Sequence, residues 1–317
     1  MHKLNAESPN LVFIGDVSKR AHTENMSDKQ TNTRVTNGGE AGSTIGTAVE
    51  RFGIEWVEVP LAIQREKMAL SKMSEALVGG SVVGEGATLD QFLRAQKNVA
   101  TIINGGFFYY AKMEQAYGVK PPPGKRVGDG IGRFKIRGYS SEEPDDRAAW
   151  GPGWEDVACL HPIQLAGSFR QGWLVQEKRG ESFRLVANLP GVMPPAMVDH
   201  KYILTCSPLL LVDGYPTPNP QYGEERTEVK GPPGHLGHLT QLNHRSMIGQ
   251  RADGTLVLAA SKKPMVFDDM QEVMMELGCQ TAMGLDGGGS SFLWHEGERK
   301  VQGDGERLVG NAIVVFR

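Results

Sequence analysis

The sequence predicts an α+β fold, a single domain built on a twisted, mostly antiparallel or mixed sheet with a few flanking helices. Three observations lead to this prediction. Short apolar runs bounded by turn residues recur along the chain, few segments have helical periodicity, and strands do not alternate regularly with helices. A parallel α/β sheet would require that regular alternation.

The first predicted elements lead up to Asn104. From IEWVEVPLAI (54–63) onward, short apolar strands alternate with turns. TLDQFLRAQKN (88–98) predicts a short helix that is capped by Thr88 or by a neighbouring aspartate. This helix leads directly into the strand VATII (99–103), so Asn104 is expected where an apolar strand ends.

The later part of the chain predicts further strands and one amphipathic helix. Strands are expected at 202–214 and 311–316, and residues 246–261 predict a hairpin that turns on an Asp-Gly pair (253–254). Residues 268–279 predict a helix that begins with acidic side chains, which suit the positive end of its dipole. Four of its apolar residues share one face and are expected in the core: Met270, Val273, Met274 and Leu277.

Two domain-level features are expected. A partly flexible N-terminal segment (1–50) precedes a folded domain (51–317), because residues 19–48 have scarcely any large apolar side chain to offset the entropy of ordering. Within the domain, an irregular insertion rich in glycine, proline and charge is expected around 118–201, and GRFKIRGY (132–139) is its clearest strand.

Composition excludes several classes of partner. A net charge of −3 and a pI near 6.3 give no field that would gather a nucleic acid polymer or a membrane surface. Cys159, Cys206 and Cys279 lack the spacing of a disulfide framework or a cysteine zinc site. The N-terminus has no basic and apolar leader, and no run of 18 apolar residues occurs. We therefore expect a cytoplasmic protein.

Two glycine-rich corners are the most informative stretches. INGGFF (103–108) and LDGGGSS (285–291) each follow an apolar strand and combine a polar side chain with successive glycines. Either could be an ordinary tight turn, since Asn-Gly and Asp-Gly are common turn pairs. Successive glycine amides could also converge on an anion. A turn does not require Ser290 and Ser291, so we predict a polar pocket that both corners share.

Four motifs resemble, in order and spacing, those of the phosphodiester glycosidase family. They are INGGFF, HRSMIGQRADGTLVL (244–258), GLDGGGSSFL (284–293) and RLVGNAIVV (307–315), and SPLLLVDG (207–214) looks like another family element. The resemblance covers about 54–317. It implies a hydrolase that cleaves the glycosidic C–O bond of a sugar 1-phosphodiester, giving free sugar and a phosphomonoester.

The same resemblance implies roles for individual residues. Catalytic roles fall on Asn104, Arg245 and Asp286. Substrate-binding roles fall on the corner residues and their neighbours: Gly105, Gly106, Ser246, Gly287, Gly288, Gly289, Ser290, Ser291 and Asn311. Family members are commonly exported or luminal, and the absence of a leader here departs from that pattern.

The chemistry is also reasonable from the residues themselves. Glycosidases ordinarily use two carboxylates, but only Asp286 stands inside a strong motif. A phosphomonoester has a second pKa of about 6 and departs without full protonation, so one carboxylate and an anion clamp could suffice. Arg245 would hold the phosphate, Asp286 would attack the anomeric carbon or activate water, and Asn104 would orient the substrate. A structural ion pair between Arg245 and Asp286 is the alternative.

Other functions stay open at this stage. His235, His238 and His244 lie close together and could bind zinc in a phosphodiesterase that cleaves P–O, although their spacing matches no standard ligand pattern. A non-catalytic module that binds a glycan or nucleotide-sugar is a third reading. We expect no cofactor. A divalent cation such as calcium could bind at Asp286, although the sequence there has no calcium-loop signature. The expected partner is a small glycosyl phosphodiester, and the oligomeric state is undetermined.

Overall fold

The computed structural model describes most of the chain from residue 47 onward. The described residues are 47–73, 86–110, 127–130, 134–136, 139–141, 172–178, 181–187, 195–196, 198–217, 241–305 and 307–317. Most of the expected N-terminal segment (1–50) and much of the expected insertion (118–201) lie outside them, and so do Cys159, His235 and His238. The division into a segment, a domain and an insertion therefore stays a prediction.

Sixteen strands and four helices form the described part. The strands are β1 (Ile54–Val59), β2 (Met68–Lys72), β3 (Val99–Asn104), β4 (Phe134–Ile136), β5 (Tyr139–Ser141), β6 (Gly172–Glu177), β7 (Arg184–Ala187), β8 (His200–Cys206), β9 (Leu209–Val212), β10 (Tyr215–Pro216), β11 (Ser246–Gln250), β12 (Leu256–Ser261), β13 (Thr281–Gly284), β14 (Phe292–His295), β15 (Glu298–Gln302) and β16 (Asn311–Phe316). The helices are α1 (Ala48–Phe52), α2 (Leu61–Lys67), α3 (Leu89–Ala95) and α4 (Phe267–Glu276).

The strands form three sheets, and every pair of neighbouring strands in the described residues is antiparallel. The first sheet has the order β1-β12-β11-β13-β9-β10, the second β15-β14-β3-β16-β2, and the third β5-β4-β8-β6-β7. The predicted α+β class with a mostly antiparallel sheet is confirmed.

One hydrophobic core joins the three sheets. Leu258 of the first sheet, Ile103 of the second and Leu204 of the third belong to the same buried cluster. On β3 the alternation of side chains places Ile102 on the other face, where it packs in a separate cluster with Phe92 of α3. Strand β3 is thus buried on both faces, which fixes the position of its last residue, Asn104.

Several sequence predictions hold in detail. Helix α3 begins with a capping box, in which Thr88 Oγ1 accepts from the Gln91 amide and Gln91 Oε1 accepts from the Thr88 amide. The hairpin of β11 and β12 turns where predicted, with Gly254 at φ +84° and the Thr255 amide bonded to Asp253 Oδ1. The predicted apolar face of α4 is buried against the first sheet.

The prediction of strands and turns directly after residue 54 was wrong for residues 61–67, which form helix α2. Pro60 stands at its N-cap, where the fixed φ of proline suits the start of a helix. Gln64 is buried and donates to the carbonyls of Val59 and Gly254. The helix was not predicted because a segment of seven residues with a buried glutamine has no recognisable helical spacing of apolar side chains.

The chain changes sheets at Ser207–Pro208, inside the segment predicted as strand at 202–214. Strand β8 belongs to the third sheet and β9 to the first. Proline has no N–H to continue a ladder, so the break falls there. GRFKIRGY likewise forms two short strands, β4 and β5, which pair with each other.

A buried ion pair lies beside the first corner. Lys72 Nζ is 2.5 Å from Asp129 Oδ1, and the two side chains are 4% and 0% exposed. The Asp129 carbonyl accepts from the Tyr109 amide, and the Gly128 amide donates to the Tyr109 carbonyl. The pair therefore ties residues 127–130 to β2 and holds the aromatic run that follows Gly106.

Among the described residues, no helix is long and apolar enough to cross a membrane.

Breaking this ion pair should destabilise the protein strongly. Lys72→Met removes the Lys72 cation from the buried Asp129 carboxylate, and such losses amount to about 3–5 kcal/mol of unfolding free energy. Urea unfolding measures the change. The double variant Lys72→Met/Asp129→Leu should recover part of the loss, and Arg184→Gln, which breaks the exposed pair with Glu177, should have little effect. Equal stability of Lys72→Met and the parent would contradict the assignment.

Candidate active site

The two glycine corners meet at the peptide groups of Asp286. Asn104 Nδ2 donates to the Asp286 carbonyl at 2.7 Å. The Asp286 amide in turn donates to the Gly105 carbonyl at 2.9 Å. The corners are therefore in direct contact, far closer than the span of about 15 Å that one small ligand could bridge.

The sheets bring these corners together. Strand β13 of the first sheet ends at Gly284, just before Leu285 and Asp286, and β3 of the second sheet ends at Asn104. The Leu285 amide donates to the carbonyl of Ser246, the first residue of β11. Asp286 consequently lies where the ends of strands from two sheets converge.

The side chain of Asn104 is committed to the protein. It is fully buried, and its Oδ1 accepts from Ser246 Oγ at 2.6 Å and from the Phe292 amide at 3.1 Å. Its Nδ2 donates to Asp286 O and, at 3.4 Å, to Gly105 O. These bonds use both ends of the amide, so Asn104 positions the aspartate rather than reaching into the pocket.

The amides of the first corner are also occupied. The Gly105 amide donates to the Asn311 carbonyl at 2.9 Å, and the Gly106 amide donates to Asn311 Oδ1 at 2.8 Å. The predicted anion nest thus has no donors at Gly105 and Gly106. The glycines are needed for close approach, since a β-carbon at Gly105 would lie 2.1 Å from Asn311 Oδ1.

Asp286 is partly exposed as a residue, and its carboxylate is poorly solvated. Its Oδ1 accepts from the Gly287 amide at 3.0 Å. Desolvation raises the pKa of Asp286, while Ser290, the positive charge of Arg307 and the Gly287 amide partly offset that rise. Ser290 Oγ lies close enough to lower this pKa but has no hydrogen bond of normal geometry within the described residues. The site therefore holds a carboxylate of increased basicity beside an unsatisfied hydroxyl.

The second corner is a short 3-10 turn, Gly288–Ser290. Gly288 has φ +61°, a conformation that favours glycine, and its amide donates to the His244 carbonyl. Ser291 Oγ donates to the same carbonyl. The Gly289 amide makes no hydrogen bond to the described part of the chain, and Gly289 is partly exposed. Of the predicted nest, this amide is the donor left without a partner among the described residues.

Arg245 is directed into the protein. It is 5% exposed, with Nε 3.2 Å from the Met265 carbonyl and one terminal nitrogen, Nη2, 2.9 Å from the Gln241 carbonyl. Desolvation lowers its pKa to about 10, so it remains charged at neutral pH. A β-carbon at Gly287 would lie 3.4 Å from its other terminal nitrogen, Nη1. Arg245 thus packs beside the second corner and supports it, and the predicted clamp on phosphate stays a prediction.

Sequence reasoning assigned no role to Arg307, the first residue of the RLVGNAIVV motif. Arg307 is exposed, its guanidinium lies 5.5 Å from the centroid of the Tyr110 ring, and its charge lowers the pKa of Asp286. A β-carbon at Gly289 would lie 3.5 Å from its Cδ. An arginine placed just before a strand that begins with a site residue, Asn311, was the available signal.

Of the three histidines that could bind zinc, His244 is the one among the described residues. His244 Nδ1 lies 3.2 Å from the Ser261 carbonyl, and its Nε2 lies 3.6 Å from Asp304 Oδ1. No group of three or more histidine, cysteine, aspartate or glutamate side chains is arranged to hold a metal ion within the described ranges. His235 and His238 lie outside them, so zinc and calcium at this site both stay predictions.

Comparison with known proteins connects this three-sheet fold and its Asp-Gly corner to one family. The family model for phosphodiester glycosidase matches residues 173–316, which confirms the predicted resemblance. The matched range contains Arg245, Asp286 and Asn311 but not Asn104. No curated protein sequence matches the chain.

Among solved structures, the protein is similar to the zebrafish N-acetylglucosamine-1-phosphodiester alpha-N-acetylglucosaminidase catalytic domain auto-inhibited by pro-peptide. The TM-score is 0.52 at 11% identity, and the match covers 83% of this chain and 82% of that one. At this identity the likeness shows a shared fold.

Two further structures match with lower scores. A hypothetical protein from Synechocystis matches at a TM-score of 0.42 and 15% identity, over 83% of this chain and 59% of that one. A candidate exported protein from Burkholderia pseudomallei matches at 0.49 and 15% identity, over 83% and 74%.

Removing the Asn104 side chain should loosen the site and the fold together. Asn104→Ala leaves the Asp286 carbonyl, the Ser246 hydroxyl and the Phe292 amide without their partner, at about 1–3 kcal/mol for each group that stays unsatisfied. Urea unfolding tests this. Ser246→Ala removes one of the three bonds and should cost less, and an unchanged midpoint for Asn104→Ala would contradict the assigned role.

Replacing Asp286 should have the opposite effect on stability. Because its folded pKa is raised above the ordinary 3.8, its stabilising contribution is complete below that value and is lost as the pH rises through the folded pKa. Asp286→Asn should therefore melt at a higher temperature than the parent near pH 7, with a smaller difference near pH 4. Asp253→Asn, whose carboxyl has a lowered pKa, should show no such gain. Identical melting of Asp286→Asn and the parent at both pH values would refute this account.

Proposed function

We propose that the protein is a hydrolase that cleaves the C–O bond between the anomeric carbon of a sugar and a phosphodiester. The products are free sugar and a phosphomonoester. The observation that carries the proposal is that both glycine corners meet at Asp286, a partly exposed residue whose carboxylate is acted on by the positive charge of the exposed Arg307. The fold shared with a zebrafish phosphodiester glucosaminidase supports the same reaction class.

The leaving group explains why a single carboxylate is sufficient. In most glycosidases a second carboxylic acid protonates the departing alcohol. A phosphomonoester leaves as an anion with a second pKa of about 6, so cations and amides can stabilise it in place of an acid. The reaction then requires one group that acts at the anomeric carbon, and Asp286 is that group.

Asp286 can act in two ways that the geometry permits equally. As a base it takes a proton from water while the water oxygen bonds to the anomeric carbon, and the configuration inverts. As a nucleophile it forms a glycosyl ester that water later hydrolyses, and the configuration is retained. Desolvation favours both roles, because it raises the basicity of the carboxylate.

The remaining groups position this carboxylate. Asn104 and Gly105 hold the Asp286 peptide, and the Gly287 amide fixes Oδ1. Arg245 and Ser291 support the turn that follows. The substrate is a small glycosyl phosphodiester in this proposal, with no cofactor required by the described groups. A cytoplasmic location belongs to the proposal as well.

Hydrolysis in oxygen-18 water tests the bond that breaks. Cleavage of C–O places the label in the released sugar, because water oxygen bonds to the anomeric carbon. A panel of sugar 1-phosphodiesters is incubated with the protein, and the products are analysed by mass spectrometry. Label in the phosphate would instead show cleavage of P–O and reject the proposal.

Asp286→Ala is the matched variant for this assay. It should reduce turnover by at least about 1,000-fold, the scale of losing a principal catalytic group, while substrate binding stays measurable. Asp90→Ala, which removes a surface partner of Arg299, should leave turnover unchanged. If the parent protein binds these phosphodiesters and hydrolyses none, the chain is a binding module and not this hydrolase.

A further inference from the structure

Two arginines lie near the candidate site, and they differ in exposure. Arg245 has its guanidinium bonded to the carbonyls of Gln241 and Met265. Arg307 differs, because it is exposed and its charge acts on Asp286. Of these two arginines, Arg307 is therefore the one that solvent reaches freely.

Tyr110 restrains the Arg307 side chain. The guanidinium lies 5.5 Å from the ring centroid, within the range of a cation–π contact. The ring itself lies at an edge angle to Phe108, with centroids 6.4 Å apart, and the neighbouring Tyr109 is bonded to residues 128 and 129. An arginine that is already restrained loses less conformational entropy when it binds a ligand. The stacking also leaves the edge of the guanidinium, which carries its N–H groups, available to an anion.

Two donors of the second corner have no hydrogen bond of normal geometry in the described part of the chain. The Gly289 amide has no hydrogen-bond partner in the described part of the chain, and Gly289 packs near Arg307 Cδ. Ser290 Oγ is fully buried beside Asp286 and is also without a partner there. A buried hydroxyl left without a hydrogen bond is unfavourable.

We propose that Arg307, the Gly289 amide and the Ser290 hydroxyl form the subsite that binds the phosphate of the substrate. This assignment rests on the proposed function and specifies which groups hold its leaving group. Arg307 supplies a planar, charged fork, and the amide and hydroxyl supply neutral donors. The buried Arg245 keeps its supporting role behind the second corner.

The subsite also resolves an electrostatic conflict. A phosphodiester is negatively charged, and so is the carboxylate that must act beside it. Two like charges in a poorly solvated site raise each other's free energy. A cation close to both lets the carboxylate stay ionised while the phosphate is bound. Loss of Arg307 should therefore weaken binding and also move the acidic limb of the pH–rate profile to higher pH.

Binding of a minimal phosphomonoester tests the subsite without any turnover. Methyl phosphate is titrated against the protein and its affinity is followed by phosphorus NMR. Arg307→Gln should weaken binding at least about tenfold, as expected for loss of a charged hydrogen-bonding group. Arg307→Lys should recover part of the affinity, because it keeps the charge without the fork. Arg299→Gln, which removes an arginine paired with Asp90, is the matched control and should bind as the parent does.

The outcomes separate this inference from the proposed function. Arg307-dependent phosphate binding in a protein that cleaves no sugar phosphodiester would support the subsite and reject the hydrolase. Cleavage with KM and pH profile unchanged in Arg307→Gln would support the hydrolase and overturn the subsite. Absence of methyl phosphate binding at millimolar concentration in the parent, or equal affinity in Arg307→Gln, would also overturn it. Thermal melting verifies that each variant is folded.

Discussion

The reciprocal hydrogen bonds between the Asn104 corner and the Asp286 peptide are the interaction on which the site depends. One bond runs from the Asn104 side chain to the Asp286 carbonyl, and the other from the Asp286 amide to Gly105. They join the ends of β3 and β13, which belong to different sheets. A carboxylate on a surface loop would move freely, whereas this one is attached to two packed sheets through its own backbone.

The site combines a destabilised group with a rigid surround. Asp286 is held where desolvation disfavours its charged form, and Arg245 keeps a charge in an interior where its pKa is lowered. Both are unfavourable for folding when considered alone. The apolar core that spans the three sheets and the many hydrogen bonds of Asn104 and Asn311 offset them. Such a pattern is typical of sites where chemistry, rather than stability, determines the residue.

Much of the architecture could be predicted from the sequence, because it follows from local chemistry. Thr88 and Gln91 define the start of a helix, and the Asp-Gly pair at 253–254 defines a hairpin, so neither needs distant information. The meeting of the two corners was also foreseen from their shared composition. The sequence could not show which way each polar group points. Whether an amide or a guanidinium faces the interior or the pocket depends on which carbonyl lies beside it in the folded chain, so the inward bonds of Gly105, Gly106 and Arg245 were missed.

The passage of the chain between sheets at Ser207–Pro208 has a consequence for how such a protein can diversify. The third sheet abuts the first corner at Gly106, where a β-carbon would lie 2.5 Å from the Thr205 carbonyl, but the bonds that hold the Asp286 peptide come from β3 and its adjoining glycine. Segments between strands of the third sheet can therefore change while the Asp286 carboxylate stays in place. Proteins with this scaffold can therefore acquire new specificities by remodelling the third sheet alone.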